Sequence, residues 1–166
     1  MEQQTIFDML YPKFKIDKPI RLIELFAGYG SQALALKYLG VNFEHWKICE
    51  WAVKSIQAYK DLHFTDVDVE LNPNRTKEDM IEFLYQKGIS ADYNKPMTKD
   101  QIKRLSEEQL KTIIKNIAIT HNLVNIQQVK GKDLEITDTY LLTYLLTYLL
   151  LPLPGFKFSW KEAGNE

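Results

Sequence analysis

The chain has 166 residues, 45% of them hydrophobic and 26% charged, and a formal net charge of -1, which fits one globular domain with a sizeable core. A near-neutral total gives no global electrostatic case for nucleic-acid binding, and the single cysteine, Cys49, excludes an internal disulfide framework or a cysteine-built zinc site. Met1-Glu2-Gln3-Gln4 carries no signal-peptide pattern, and the longest apolar run, Leu145 to Leu153, is broken by Thr147 and Pro152 and is too short for a bilayer, so a cytoplasmic protein without membrane contact is expected.

Residues 1–18 read as a surface segment with a short helix around Ile6 to Leu10. Pro19 opens a strand over Ile20 to Phe26, apolar enough to be covered on both faces. Gly28 and Gly30 follow as a tight turn, and Ser31 to Leu39 reads as a helix closed by Gly40. Val41 to Glu50 reads as a second strand, and Trp51 to His63 as a second helix with Ala52, Val53, Ile56 and Tyr59 at helical spacing. Strand, helix, strand, helix is the opening of a doubly wound parallel sheet.

Thr65 to Arg75 is acidic and turn-like. Capping-box-like starts follow at Thr76-Lys77-Glu78-Asp79, Thr98-Lys99-Asp100-Gln101 and Ser106-Glu107-Glu108-Gln109. They make residues 65–121 a helical insertion, with two or three short helices over 76–121. Lys99, Lys103, Lys111 and Lys115 alternate there with acids, as on a solvated helix face. Val124 to Val129 and Leu134 to Ile136 are expected to return the chain to the sheet. Residues 139–150 are three copies of Thr-Tyr-Leu-Leu, followed by a basic-aromatic tail.

The glycine turn is where chemistry is expected. Two glycines let backbone and ligand approach closely, and the helix beginning near Ser31 would point free N–H groups at that space. Glu50 ends the second strand roughly 20 residues further on, where nucleotide-binding folds place an acid on the ribose hydroxyls, and Trp51 is suited to stack on an adenine. A glycine pair after a strand is also compatible with a tight turn that holds no ligand. His45, His63 and His121 lack metal-ligand spacing, and no metal site is expected.

Glu24-Leu25-Phe26-Ala27-Gly28-Tyr29-Gly30-Ser31 resembles motif I of the DNA cytosine-5 methyltransferases, Phe-Ala-Gly-x-Gly-Gly, with Ser31 in place of the last glycine. Ile48-Cys49-Glu50-Trp51 resembles motif II, and Ala52 to His63 the helix after it. Gly131-Lys132-Asp133-Leu134 corresponds to motif III. The resemblance covers about residues 18–64 and 122–144, and is similar to phage-encoded members with a helical insertion. It implies a partial Rossmann-like (class I methyltransferase) α/β fold with a parallel sheet, whose fourth strand runs to about Tyr144. It also implies an S-adenosylmethionine site formed by Phe26, Ala27, Gly28, Tyr29, Gly30, Glu50, Trp51 and Asp133, the last contacting the adenine.

The family's chemistry needs a Pro-Cys-Gln cysteine that attacks cytosine C6, and a base flipped out of the duplex. The sequence has no such motif, and Cys49, beside the ribose acid, reads as a small buried hydrophobe. No catalytic residue is assigned, and DNA binding is expected to be weak or absent without the family's target-recognition region. The tail offers a cause. Thr-Tyr-Leu-Leu can be written ACT TAC TTA CTT, a tandem four-base repeat in which gain or loss of one unit shifts the frame. Leu151 to Gly155 can be written CTT CCC TTG CCA GGA, which one base on reads Phe-Pro-Cys-Gln. Continuing to Glu166 permits Asp-Leu-Ser-Leu-Ala-Gly-Lys-Arg-Gln-Gly-Met. Residues 1–166 are thus expected to be a single, incomplete cofactor-binding domain, with 139–166 as the repeat and an out-of-frame tail. Two other readings are a non-enzymatic phage-type protein that binds a host partner, such as a CRISPR nuclease, and one chain of a split methyltransferase.

Overall fold

The computed structural model describes residues 19–134 and 140–144. The fold is α/β: a parallel sheet of the Rossmann-like kind, in partial form, flanked by helices. Strand β1 (Ile20–Leu25) runs through the turn at Gly28 into helix α1 (Ser31–Tyr38). Strand β2 (Phe43–Cys49) and helix α2 (Val53–His63) follow. Three helices come next: α3 (Lys77–Lys87), α4 (Lys99–Lys103) and α5 (Glu107–Ile119). A 3-10 turn at Ile126–Gln128, a short helix α6 (Gly131–Leu134) and strand β3 (Tyr140–Tyr144) complete the described chain.

The sheet order is β2-β1-β3, and both pairings are parallel. The first Thr-Tyr-Leu-Leu unit and the start of the second therefore supply a strand, with Tyr140 to Tyr144 paired to Arg21 to Leu25. The chain beyond Tyr144 lies outside the described residues, as does the short helix expected at Ile6 to Leu10. A single parallel bridge, Ile48 to Asn122, adds a rung on the free side of β2. Successive strands thus move to opposite sides of β1. That reversal is a topological switch point, and in open parallel sheets ligands bind in the crevice at the carboxyl ends of the strands beside it.

Strand β2 carries one extra residue: Leu22 faces His45 and Ile23 faces Lys47, leaving Trp46 as a bulge. The freed indole lies 4.3 Å from the Arg21 guanidinium carbon and donates Nε1–H to the Leu134 carbonyl at 3.0 Å. This bulge is why β2 lacks a clean apolar alternation.

All three capping boxes form, with Thr76, Thr98 and Ser106 each accepting the backbone N–H three residues on and each receiving a side-chain acceptor in return. Gly88, in the left-handed region at φ 69, closes α3, and Gly40, at φ 68, follows α1. The larger apolar cluster joins Leu84 of α3, Ile102 of α4 and Leu110 and Ile114 of α5 to Ile56 of α2. Under the sheet a smaller cluster holds Ala27, Ile48 and Tyr59. Lys99, Lys103, Lys111 and Lys115 pair with Glu82, Asp100, Glu107 and Asp68 on the surface, as a solvated helix face should.

Val124 to Val129 does not return to the sheet as a strand, nor does Leu134. Val124 sits at φ 68, and the Asn125 side chain accepts Gln127 N–H to wind a 3-10 turn. Asp133 then accepts Lys130 N–H at 2.7 Å and starts α6. Side-chain acceptors that satisfy the local backbone override the strand preference of Val124, Ile126 and Val129. Ile136 lies outside the described residues.

Candidate cofactor site

Where β1 ends, the chain takes three left-handed steps: Phe26 at φ 58, Gly28 at φ 55 and Gly30 at φ 83. Ala27 N–H bonds to the Cys49 carbonyl at 3.2 Å, and Gly30 N–H to the Ala27 carbonyl at 2.8 Å, so the loop is pinned to the end of β2. The two glycines do different work. A Cβ on Gly30 would stand 2.3 Å from His63 Nε2 and 2.7 Å from a Tyr59 ring carbon, whereas one on Gly28 would meet nothing within 4 Å. Gly30 makes room for the protein's own core. Gly28 borders open space.

Glu50 spans the crevice. One carboxylate oxygen accepts Gly28 N–H at 2.9 Å and the other accepts Ala52 N–H at 2.8 Å. Each oxygen keeps lone-pair capacity for a further donor. The residue is only 8% exposed. Phe26 to Gly30 and Glu50 are thus brought together at the carboxyl ends of β1 and β2, with Phe26 and Tyr29 about half exposed. Trp51 follows directly and is partly buried against the helical cluster. Asp133 belongs to a turn that Leu134 ties to Trp46, further back along β2 than Glu50.

At the start of α1 one N–H group already has an acceptor inside the protein. Glu24, 1% exposed inside β1, accepts Ala33 N–H at 3.3 Å and the Tyr59 hydroxyl hydrogen, and so caps the helix from within. Of the donors expected at the helix start, Ala33 N–H is thus used by the protein itself. Burial raises the Glu24 carboxyl above its ordinary range, and the same burial, with Glu24 beside it, pushes the Tyr59 phenol up. His45 Nδ1 lies 2.8 Å from the Tyr59 hydroxyl, and His63 Nε2 lies 2.9 Å from the Tyr29 carbonyl. Burial, and then the neighbouring His63, lower His45 to about 4. Both histidines are built into the packing beneath the turn.

Cys49 is buried, donates Sγ–H to the Val124 carbonyl at 3.3 Å and is pushed up to about 12 by burial and by Glu50. A thiol so held is not a nucleophile at neutral pH. Among the described residues no group of His, Cys, Asp and Glu could hold a metal ion. None of their helices is long and apolar enough to cross a membrane.

Two residues at the site escape a reading of the sequence. Asn122, 5% exposed, accepts Glu50 N–H at 3.1 Å through Oδ1 and donates Nδ2–H to the Glu50 carbonyl at 2.9 Å. Ser90 brackets the other side, its N–H on the Trp51 carbonyl at 2.8 Å and its carbonyl taking Val53 N–H at 2.9 Å. Glu24 too is missed, although an acid inside a mostly apolar strand is a signal that could mark it; nothing in the sequence marks Asn122.

S-adenosylmethionine offers two ribose hydroxyl donors and an adenine. Glu50, with acceptor capacity to spare beside the open space at Gly28, fits the first, while the Trp51 side chain packs on the helical cluster. No protein-family model matches the chain. Over 128 residues, 76% of its length, the chain is 29% identical to the orphan methyltransferase M.SssI of Spiroplasma monobiae (strain ATCC 33825 / MQ-1). The matched part is 31% of that protein, so the chain spans about a third of the relative's length. By this likeness and by its sheet, the chain is methyltransferase-like.

Proposed function

We propose that the chain is the cofactor-binding part of a DNA cytosine-5 methyltransferase-like protein, which binds S-adenosylmethionine and does not transfer its methyl group by itself. The observation that carries the binding half is the Glu50 carboxylate set across the open glycine turn, with one oxygen on Gly28 N–H and the other on Ala52 N–H. In this reading Phe26 to Gly30 line the cofactor, Glu50 accepts hydrogen bonds from the ribose hydroxyls and Trp51 covers the adenine. When bound, the cofactor supplies an electrophilic methyl group. Methylation at cytosine C5 also needs a thiolate to add at C6, and Cys49 is held as a buried, protonated hydrogen-bond donor.

Titration calorimetry of the chain with S-adenosylhomocysteine should give one site per chain, and a methyl-transfer assay on duplex DNA should give no product. An absent heat signal would overturn the binding half, and methylated DNA would overturn the other. The four-residue repeat and the Pro-Cys-Gln readable one base out of frame support an origin by slippage in a methyltransferase gene. The coding DNA over residues 139–166 tests it: codons that cannot yield Pro-Cys-Gln in a second frame refute that origin.

A further inference from the structure

We infer that Asn122 is the positioning residue for Glu50, so that the ribose-reading acid is aimed by the end of α5 as well as by the sheet. The inference rests on the cofactor reading above.

In an ordinary parallel sheet, backbone groups of the neighbouring strand would pair with Glu50. Here they cannot. The ladder would next use the Leu123 carbonyl for Glu50 N–H and Asn125 N–H for the Glu50 carbonyl, and these two groups bond each other at 3.0 Å as the chain turns away. One rung earlier a backbone bond does form, from Leu123 N–H to the Ile48 carbonyl at 2.9 Å. At Glu50 the Asn122 side-chain amide takes over, its oxygen on the Glu50 N–H and its NH₂ on the Glu50 carbonyl. A primary amide presents the same donor–acceptor pair as a peptide unit, so it fits the peptide edge on both counts.

The surrounding backbone is bent to allow this. His121 and Val124 flank Asn122 in left-handed conformations, at φ 50 and φ 68. For the β-branched Val124 that conformation is an outlier, and it persists only where the surroundings over-determine it. Val124 N–H closes the arrangement by donating to the same Asn122 Oδ1 at 2.8 Å. Fixing the Glu50 peptide on both sides fixes where its side chain leaves the backbone. Its two oxygens then reach Gly28 and Ala52, each with lone-pair capacity left for a further donor.

A positioning role and a purely structural role both weaken binding when Asn122 is changed, but they differ in which ligand suffers. The test compares S-adenosylhomocysteine with its 2′,3′-dideoxyribosyl analogue, by calorimetry on the 166-residue chain and on Asn122→Ala. If Asn122 acts through Glu50 on the ribose hydroxyls, the preference for the hydroxyl-bearing ligand shrinks by about tenfold in the variant, the scale of one buried hydrogen-bonding arrangement. The analogue's own affinity stays nearly unchanged. Equal weakening of both ligands, or an unchanged preference, overturns the inference and leaves the cofactor reading standing. A wild-type chain that binds neither ligand overturns both. Should Asn122→Ala fail to fold, Asn122→Asp keeps the acceptor for Glu50 N–H and Val124 N–H and loses the donor to the Glu50 carbonyl. The same shrinkage is expected of it, and an unchanged preference refutes the inference equally.

Discussion

Gly28 and Gly30 lie two residues apart, both with positive φ, and alanine should distinguish them sharply. Gly30→Ala sets a left-handed L-residue at φ 83, a conformational cost of about 1 kcal/mol. It also drives a methyl to 2.7 Å from the Tyr59 ring and 2.3 Å from His63 Nε2. Tyr59 cannot yield cheaply, being fully buried with its hydroxyl held between Glu24 and His45. Overpacking of this sort costs about 1–3 kcal/mol, so the whole substitution should remove on the order of 3 kcal/mol, a large share of a small domain's stability. Gly28→Ala carries the conformational cost alone, because no atom lies within 4 Å of the added methyl. Urea unfolding should show Gly28→Ala within about 1 kcal/mol of wild type and Gly30→Ala well below both. In calorimetry Gly28→Ala should lose S-adenosylhomocysteine affinity by roughly tenfold or more, since its methyl occupies the space beside Glu50 where the ligand must come close. Equal unfolding midpoints for the two variants would refute the packing account. Undiminished binding by Gly28→Ala would refute the assignment of that space to a ligand.

Cys49 should resist a thiol reagent at pH 8 in the folded chain and react once urea unfolds it, because its thiol is buried and pushed up to about 12; rapid labelling of the native protein would contradict this. Ser106→Ala should cost about 1 kcal/mol in urea unfolding, since it removes the hydroxyl that accepts Gln109 N–H at 3.1 Å, and an unchanged midpoint would count against that cap. An imidazole titration followed by NMR should place His45 near 4, against its ordinary 6.5, and a value above 6 would refute its desolvated setting. The unfolded chain then binds more protons than the folded one between about pH 4 and 6.5. His45 therefore withdraws up to about 3 kcal/mol of stability as pH falls through that window, while Glu24, shifted up, works in the opposite sense and loses its contribution as pH rises past its ordinary 4.5.

The elements whose signals are local were legible in the sequence. The three capping boxes fix the starts of α3, α4 and α5 through side chains three residues away, and Gly40 and Gly88 mark helix ends by a conformation that glycine adopts at least cost. The meeting of Gly28 with Glu50 could be anticipated because strand, turn, helix and strand place the ends of two parallel strands side by side. What failed was set by partners distant in sequence or by side-chain acceptors. Val124 to Val129 has strand composition, yet Asn122 and Asn125 capture its N–H groups and wind it into a turn. Of the donors expected at α1, Ala33 N–H is taken by Glu24, whose other partner is a tyrosine 35 residues further on.

The corner Glu50-Trp51-Ala52 is held from two sides, and neither support belongs to the β2-β1-β3 sheet. Asn122 grips the Glu50 peptide from the end of α5, and Ser90, just beyond α3, bonds the Trp51 carbonyl and Val53 N–H. Between those two residues the chain forms α4 and α5, which join α3 in an apolar cluster that outweighs the one beneath the sheet. The glycine turn lends the crevice its open floor, but the acid above it inherits its rigidity from the helical segment. Loss of cluster packing at a residue such as Leu110 would therefore loosen Glu50 without touching β1, because both grips on the corner are anchored in that segment.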